Sequence, residues 1–240
     1  MATQQDGDEV VRLSTRWADM VLEDEAVEFE PVGETVGEVS EGANWVVVGR
    51  FLTSKLVKVE FMRQVMASVW QPVKGVQISQ VQPNLFMFMF FHESDMQYVL
   101  EEGPWAFDNH TLVCRQVCDG MLPAKVPLTT VDMWVQVHDL PVGYTSDVVL
   151  EQVGNFLGSF LRCDDRFVGA PLLTFYRIRV AIPVDRPIKR RMKMIKRDKT
   201  SCWVTFKYER LHTYCFFCGN LGHSYRFCLG ARESVLTVDQ

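Results

Sequence analysis

The sequence lacks the segments that would place it in a membrane or in a secreted fold. Its longest apolar run, from Leu85 to Phe91, is far too short to cross a bilayer. The first ten residues are polar and acidic, whereas a secretory signal needs a basic start and an apolar core. Seven cysteines, an odd number, do not indicate a disulfide framework. These features predict an intracellular protein whose thiols stay reduced and serve as core residues or metal ligands.

Motifs that carry catalysis are also missing. The sequence has no glycine-rich phosphate loop, no H-E-x-x-H pair and no G-x-S-x-G turn. Asp164 and Asp165 are adjacent carboxylates, but neighbours in sequence do not generally converge on a substrate, so a loop is the better interpretation. We therefore expect a protein that is not an enzyme.

Charge is distributed unevenly along the 240 residues, although the net charge is only −5. Residues 1–42 contain twelve acidic and two basic residues, whereas residues 175–232 contain fourteen basic and three acidic ones. One end of the chain therefore repels polyanions and the other attracts them. The composition is that of an ordinary globular protein, and this length fits two small domains, each with its own core.

The hydrophobic pattern divides the chain into four predicted parts. Residues 1–43 form an acidic arm, with a short amphipathic helix after Asp8 and a flexible linker from residue 25. Residues 44–118 alternate strands and helices in the order βαββαβ, with Thr53 or Ser54 capping a helix that starts near Leu56, and Ser94 capping a second helix. Residues 128–210 form a small α+β unit with basic strands, and residues 211–230 form a metal-binding unit.

The predicted fold class is accordingly α+β, with a ferredoxin-like first domain. The βαββαβ order gives an antiparallel sheet with two helices on one face, which is also the order of an RNA-recognition module. The second α+β unit and a C-terminal C-x₂-C-x₄-H-x₄-C array follow it.

That array, formed by Cys215, Cys218, His223 and Cys228, is the strongest signal in the chain. Two thiolates two residues apart can hold one tetrahedral metal, and an imidazole and a third thiolate close the site, which leaves no position for a reactive water. Gly219 and Gly222 allow the short backbone to turn around the ion. Zinc is the expected metal because an S₃N tetrahedral set and a structural role suit it.

The segment CFFCGNLGHSYRFC resembles the CCHC zinc knuckle of retroviral nucleocapsid and retrotransposon proteins. In that family an aromatic residue after the first Cys and an apolar residue two after the His form a platform on which an unpaired base stacks. The resemblance assigns this role to Phe216 and Tyr225. The alternative for both rings is packing within the mini-domain itself.

The segments NWVVVGRFL, LFMFMFF, VLEEGPWAFDNHTL and WVQVHDLPVGY resemble a plant domain of unknown function that precedes such a knuckle in retrotransposon-type proteins. With the knuckle, the resemblance covers roughly residues 44–228. It implies nucleic-acid and zinc binding, often within a longer polyprotein or a first open reading frame of a non-LTR element.

The alternation along the LFMFMFF strand indicates how the first domain uses its sheet. If Phe86, Phe88 and Phe90 face the helices, the other face carries Leu85, Met87 and Met89, which are apolar but not aromatic. We therefore expect that face to be covered by protein, supplied by the helix of the acidic arm, the second domain or another copy, in preference to stacking bases.

The run from Pro187 to Arg197 predicts a strand with one nearly cationic face. Lys189, Arg191, Lys193 and Arg197 alternate with Arg190, Met192, Met194 and Lys196. Such a face close to the knuckle can follow phosphates, with Lys207 and Arg226 as further candidates. The alternatives are a solvated strand surface and, for KRRMKMIKR, a nuclear localisation signal.

Two functional hypotheses follow from these features. The first is a zinc-dependent protein that binds single-stranded RNA or DNA through the knuckle and the basic strand, with the N-terminal domain as a scaffold or self-association unit. The second is a protein interaction adaptor that uses the knuckle and the open sheet face. An adaptor has no need for the positive charge around the knuckle, which favours the first.

Overall fold

The first sheet is organised by the alternating strand that the sequence analysis singled out. The computed structural model describes residues 45–167 and 174–236, and the helix and linker predicted for residues 1–43 lie outside these ranges. Phe86, Phe88 and Phe90 are fully buried and pack with residues of two helices, including Met62, Met66, Met96 and Val99. The predicted orientation of this strand is confirmed.

The first unit has the predicted order of elements, with one short strand added. Its elements are β1 (Val46–Phe51), α1 (Val59–Trp70), β2 (Val76–Gln82), β3 (Leu85–Phe90), α2 (Glu93–Glu101), β4 (Ala106–Phe107) and β5 (His110–Gln116). The antiparallel sheet has the strand order β2-β3-β1-β5-β4. This is the ferredoxin-like arrangement, and the added β4 pairs with β5 at the edge of the sheet.

Both helices of this unit begin at other residues than predicted. Lys58, not Thr53 or Ser54, precedes α1, and Leu56 lies outside the helix with 95% of its surface exposed. At α2 the N-cap is His92, whose ring nitrogen accepts a hydrogen bond from the Ser94 backbone N–H at 3.1 Å. At α2 both His92 and Ser94 carry a side-chain acceptor that could serve the free N–H groups at the start of the helix. The local sequence therefore does not distinguish the two capping residues. Among the described residues, none of the helices has both the length and the apolar character that crossing a membrane requires.

The open face of the first sheet is covered by the chain segment that follows β5. Val48 and Val113 on this face are fully buried, and they belong to the same core as Val126 and Leu128 of this linker segment. The Arg50 guanidinium also donates a hydrogen bond to the Leu128 carbonyl oxygen at 3.1 Å. The prediction that protein covers this face is therefore confirmed at Val48 and Val113. The second domain, one of the three predicted candidates, supplies part of the cover together with the linker, because Val131 and Met133 belong to the same core.

The second unit forms its own antiparallel sheet around one helix. Its elements are β6 (Thr130–His138), α3 (Asp147–Leu157), β7 (Ser159–Cys163), β8 (Phe175–Pro183), β9 (Arg191–Ile195) and β10 (Ser201–Tyr208). Leu150, Val153 and Leu157 of α3 are buried in the core that contains the inward-facing residues of β6 and β8. A short helix, α4 (Leu229–Leu236), ends the described chain.

The two sheets share one topology although the sequence shows no repeat. The second sheet has the order β7-β8-β6-β10-β9, which equals the first order when the strands of each unit are counted from one to five. The helix that stands between the third and fourth strands of the first unit has no counterpart, because residues 184–190 form no helix. The second unit is thus a one-helix version of the first.

Part of the outer face of the second sheet is closed by arginines stacked on one tryptophan. The guanidinium carbons of Arg177, Arg162 and Arg179 lie 3.9, 5.1 and 5.4 Å from the ring centre of Trp134. Arg179 is 4% exposed and donates to the Leu100 carbonyl oxygen at the end of α2. This end of the face is therefore packed against the first unit and is not available to a ligand.

Two carboxylates neutralise the centre of this arginine group. Asp164 is 2.7 Å from Arg177 and 2.6 Å from Arg166, and Glu209 is 2.8 Å from Arg177 on its other side. The hydrogen bond from Arg166, followed by that from Arg177, holds the pKa of Asp164 well below its ordinary value. Asp164 is thus an ion-pair partner that follows β7 in a loop, as the sequence predicted.

Candidate metal centre and nucleic-acid interface

The predicted metal ligands are held by a tight backbone turn. The Gly219 N–H donates to the Cys215 carbonyl oxygen at 2.8 Å, and the Cys215 N–H donates to the Asn220 carbonyl oxygen at 2.9 Å. Gly219 and Gly222 have φ values of +78° and +89°, which only glycine adopts without strain. The two glycines therefore perform the role that their positions in the sequence predict.

The four side chains converge on one point. The Sγ atoms of Cys215, Cys218 and Cys228 and a ring nitrogen of His223 all lie within 4.8 Å of one another. Cys215 and Cys228 are buried, and Sγ of Cys218 is 3.3 Å from Nε2 of His223. Three soft thiolates and one imidazole at these separations fit a tetrahedral zinc ion, and they fill all four positions around it.

Backbone donors prepare one of the thiols for metal binding. Burial raises the pKa of the Cys215 thiol, but hydrogen bonds from the N–H groups of Cys218 and Phe217 outweigh it and hold that pKa below its ordinary value. Burial raises the pKa of Cys218, and its thiol neighbours in the cluster raise it further. The backbone N–H groups at Cys215 thus favour the thiolate form that a metal ligand needs.

The knuckle is docked onto the rest of the described chain. Leu221 is 7% exposed and belongs to the core that contains Leu52 and Leu128. The Thr213 N–H and hydroxyl both donate to the Asn109 carbonyl oxygen, at 3.1 and 2.7 Å, in the turn between β4 and β5. These contacts join residues about a hundred positions apart, so the spacing of the metal ligands could not predict them.

The aromatic residues of the knuckle are exposed. Phe216 is 77% exposed and Tyr225 is 48% exposed, so neither ring is used up in packing. The two rings have different nearest ring contacts. The ring centre of Phe216 lies 4.7 Å from that of Tyr214, and the ring centre of Tyr225 lies 6.4 Å from that of Phe217. Phe217 and Phe227, at 52% and 63% exposure, are further candidates that the resemblance to other knuckles did not single out.

The predicted cations are divided among three surfaces. Arg191 and Lys193 lie on one face of β9, and Lys207 lies on the same face of the neighbouring β10. Lys189 is instead on the helix side, with its Nζ 4.0 Å from the ring centre of Phe156. Arg226 is exposed on the knuckle beside Tyr225.

The strand that carries these cations is shorter than predicted. It spans Arg191–Ile195, so Lys189 and Arg197 lie outside it, and the exposed Ile195 shares the face of Arg191 and Lys193. The Ile188 N–H donates to the Gly219 carbonyl oxygen at 3.0 Å, which takes this part of the chain away from the sheet and toward the knuckle. The Arg197 guanidinium lies 5.6 Å from the ring centre of Tyr144. The prediction of a continuous cationic face over residues 189–197 is therefore wrong.

A groove of about 570 Å³ lies between the metal cluster and the end of β1. The Asn220 Oδ1 atom, which is buried and accepts no hydrogen bond, belongs to one of its lining residues. Its further lining includes Arg50, Thr53, Ser54, His223, Phe227 and Leu229. The groove joins parts of the chain that are distant in sequence, and no sequence signal indicated it.

Together, the fold and the cluster define a protein that joins a ferredoxin-like domain to a CCHC cluster of the zinc-knuckle kind. Residues 40–118 match the family described as "Domain of unknown function (DUF4283)", and residues 182–230 match the family described as "Zinc knuckle". The chain therefore carries a domain of unknown function followed by a knuckle, as the resemblance implied.

One curated relative and several solved structures are similar to parts of this chain. An uncharacterized protein of Arabidopsis thaliana is 22% identical over 134 residues, which cover 56% of this chain but only 42% of that protein. The sex-lethal protein in complex with RNA is 15% identical, over 58% of this chain and 83% of that one, with a TM-score of 0.24. The first two RRM domains of the yeast poly(U) binding protein are 12% identical, over 68% and 98%, with a TM-score of 0.23. These scores are low, so the fold assignment rests on the strand order.

Proposed function

We propose that this chain binds single-stranded nucleic acid, with a zinc ion that holds the knuckle in its binding conformation. Cys215, Cys218, His223 and Cys228 would bind the ion, which supplies structural cross-linking and no open position for catalysis. The proposed role is accordingly non-catalytic.

The observation that supports this proposal best is the exposure of aromatic rings directly beside the closed metal cluster. These rings are not core residues, because the exposed fraction is 77% for Phe216, 63% for Phe227 and 48% for Tyr225. Unpaired bases stack on such rings, and each stacked base contributes on the order of 1–3 kcal/mol. Arg226 beside them and Arg191, Lys193 and Lys207 on the nearby sheet supply cations for phosphates.

The competing function is that of a protein interaction adaptor. It would use the knuckle and the open face of the first sheet, but Val48 and Val113 on that face are already buried in the core shared with the linker and the second unit. We assign no self-association to that face for the same reason. The excess of basic residues between 175 and 232 also lacks a purpose in an adaptor.

A retrotransposon-type origin in a plant belongs to the same proposal. It is supported by the order of the two matched families and by the Arabidopsis relative. An intracellular location, with the nucleus reached through the basic run near residue 190, fits a protein that handles nucleic acid.

Filter binding with labelled single and double strands of RNA and DNA tests the proposal. The zinc-loaded protein should retain single strands more strongly than duplexes, and Phe216→Ala should weaken that binding by about 5- to 100-fold because a stacking surface is lost. Tyr98→Ala, which removes a 48% exposed ring from α2, is the matched control and should have no effect. Failure to bind any single strand at low salt with zinc present would leave the adaptor function standing.

A further inference from the structure

The shared topology of the two sheets raises the question of which outer face meets the nucleic acid. In each unit one face packs against helix residues and the other points away from them. In the first unit Val48 and Val113 on this outer face are buried in the shared core, and the half-exposed Met87 and Met89 carry no aromatic ring. The second unit is therefore the better candidate for contacts of bases with a sheet.

The outer face of the second sheet is closed at one end and open at the other. Trp134 and its arginines occupy the closed end, against the end of α2. At the open end the register aligns one residue from each of four strands. Phe175 pairs with His138, His138 with Thr205, and Thr205 with Arg191.

Aromatic rings are spaced across this open end. Trp203 is 49% exposed, and the guanidinium carbon of Arg191 lies 4.4 Å from its ring centre. The rings of His138 and Phe175 lie 5.2 Å apart with 31° between their planes. Trp203 is a diagonal neighbour of His138, because Thr205 pairs with His138 two residues along β10, and such neighbours lie roughly 7–8 Å apart in a sheet. The exposed ring of Trp203 and the half-buried His138–Phe175 pair thus lie at spacings that successive bases of an extended strand can reach.

The charge of this surface is positive. Arg191, Lys193 and Lys207 are exposed on it. Asp139 lies at its border and accepts a hydrogen bond from the Thr205 hydroxyl at 2.6 Å. Glu209 is held by Arg177 and by the Gln136 amide, at 3.0 Å from each. Burial and the neighbouring Lys207 lower the pKa of His138 against the opposing effect of Asp139, which favours the neutral ring.

We infer that the open end of the second sheet is a second base-stacking surface for the same single strand, with Trp203 and the His138–Phe175 pair under the bases and Arg191, Lys193 and Lys207 on the phosphates. This inference rests on the proposed function, which it extends from the knuckle to the sheet. The positive charge alone would also suit an acidic peptide, but the exposed indole between two cations favours bases, which stack on an aromatic ring and on a guanidinium plane.

The sequence did not single out Trp203. Its position beside Arg191 depends on the pairing of β9 with β10, and its position beside His138 depends on the pairing of β10 with β6. These registers join segments up to 67 residues apart in the chain, since Thr205 pairs with His138.

Ultraviolet cross-linking of the zinc-loaded protein to an oligouridine, followed by mass spectrometry, tests the inference directly. Cross-links should appear on the peptide that contains Trp203 as well as on the knuckle peptide. In equilibrium binding, Trp203→Ala should weaken affinity by about 5- to 100-fold without changing its salt dependence, and Trp203→Phe should restore part of it.

Matched variants distinguish the possible failures. Tyr98→Ala removes a ring of equal exposure from another surface and should leave affinity unchanged. If Phe216→Ala weakens binding but Trp203→Ala does not, the inference is overturned while the proposed function stands. If a glutamate-rich peptide competes with the oligouridine at equal charge and Trp203→Ala affects neither ligand, the surface is a site for acidic protein segments. If wild-type protein binds no single strand, both proposals fall.

Discussion

Removal of zinc should destabilise the whole described body and not only the fourteen residues of the knuckle. Leu221 contributes its buried side chain to the common core, and full burial of a leucine is worth about 2–3 kcal/mol. The hydrogen bonds of Thr213 to the Asn109 carbonyl oxygen add about 1–2 kcal/mol. If the metal-free knuckle unfolds and undocks, the body loses about 3–5 kcal/mol, which lowers Tm by roughly 6–20 °C in a domain of this size.

Thermal unfolding followed by near-ultraviolet circular dichroism, before and after chelation, measures this loss. Zinc release is followed in parallel with a metal-sensitive dye, and adding zinc back should restore the original Tm. Cys215→Ser should reproduce the effect of the chelator, whereas Cys118→Ser, at an exposed cysteine outside the cluster, should not. Leu221→Ala should lower Tm while the protein keeps its zinc. A main transition that stays within about 2 °C after complete loss of zinc would refute the docking argument.

Two further predictions concern charge. Replacing Lys193 and Lys207 together by Gln should reduce the slope of log affinity against log salt by about 1.4, at about 0.7 per lost phosphate contact. Fluorescence anisotropy measures this slope between roughly 50 and 300 mM salt. An unchanged slope would remove both residues from the interface. Because Arg166 and Arg177 depress the pKa of Asp164 below its ordinary value of 3.8, Asp164 contributes stability that is present above that value and is lost as pH falls below it. Urea unfolding should therefore show a deficit for Asp164→Asn near neutral pH that shrinks toward pH 3, and a deficit independent of pH would contradict this assignment.

The sequence predicted those features that depend on short spacing. Cys215, Cys218, His223 and Cys228 converge because a fourteen-residue turn leaves few other arrangements, and the two glycines within it mark the turn. The period-two pattern of β3 likewise determined which face holds Phe86 and Phe88. Local geometry is sufficient for both.

Features that depend on distant pairing could not be read in this way. The linker on the first sheet packs two short apolar residues, Val126 and Leu128, and such residues are common in any loop. The neighbours of Trp203 depend on the register of three strands. The period-two pattern of a strand predicts which face Trp203 lies on, but it does not predict which residues lie beside it on that face. The basic run was predicted as one strand because its alternation extends from Lys189 to Arg197. Hydrogen bonding to the knuckle and the turn at Asp198 instead limit the strand to five residues.

The contact between Asn109 and Thr213 also affects how this chain matures on the ribosome. The two residues are 104 positions apart, and synthesis at about 5–20 residues per second separates their appearance by roughly 5–20 seconds. During that interval Leu52 lacks the contacts of Leu221 and Gly222, because these two residues have not yet been made. The hydrophobic interior around Leu52 can therefore be completed only after the knuckle segment has emerged, so residues translated early depend on residues translated late.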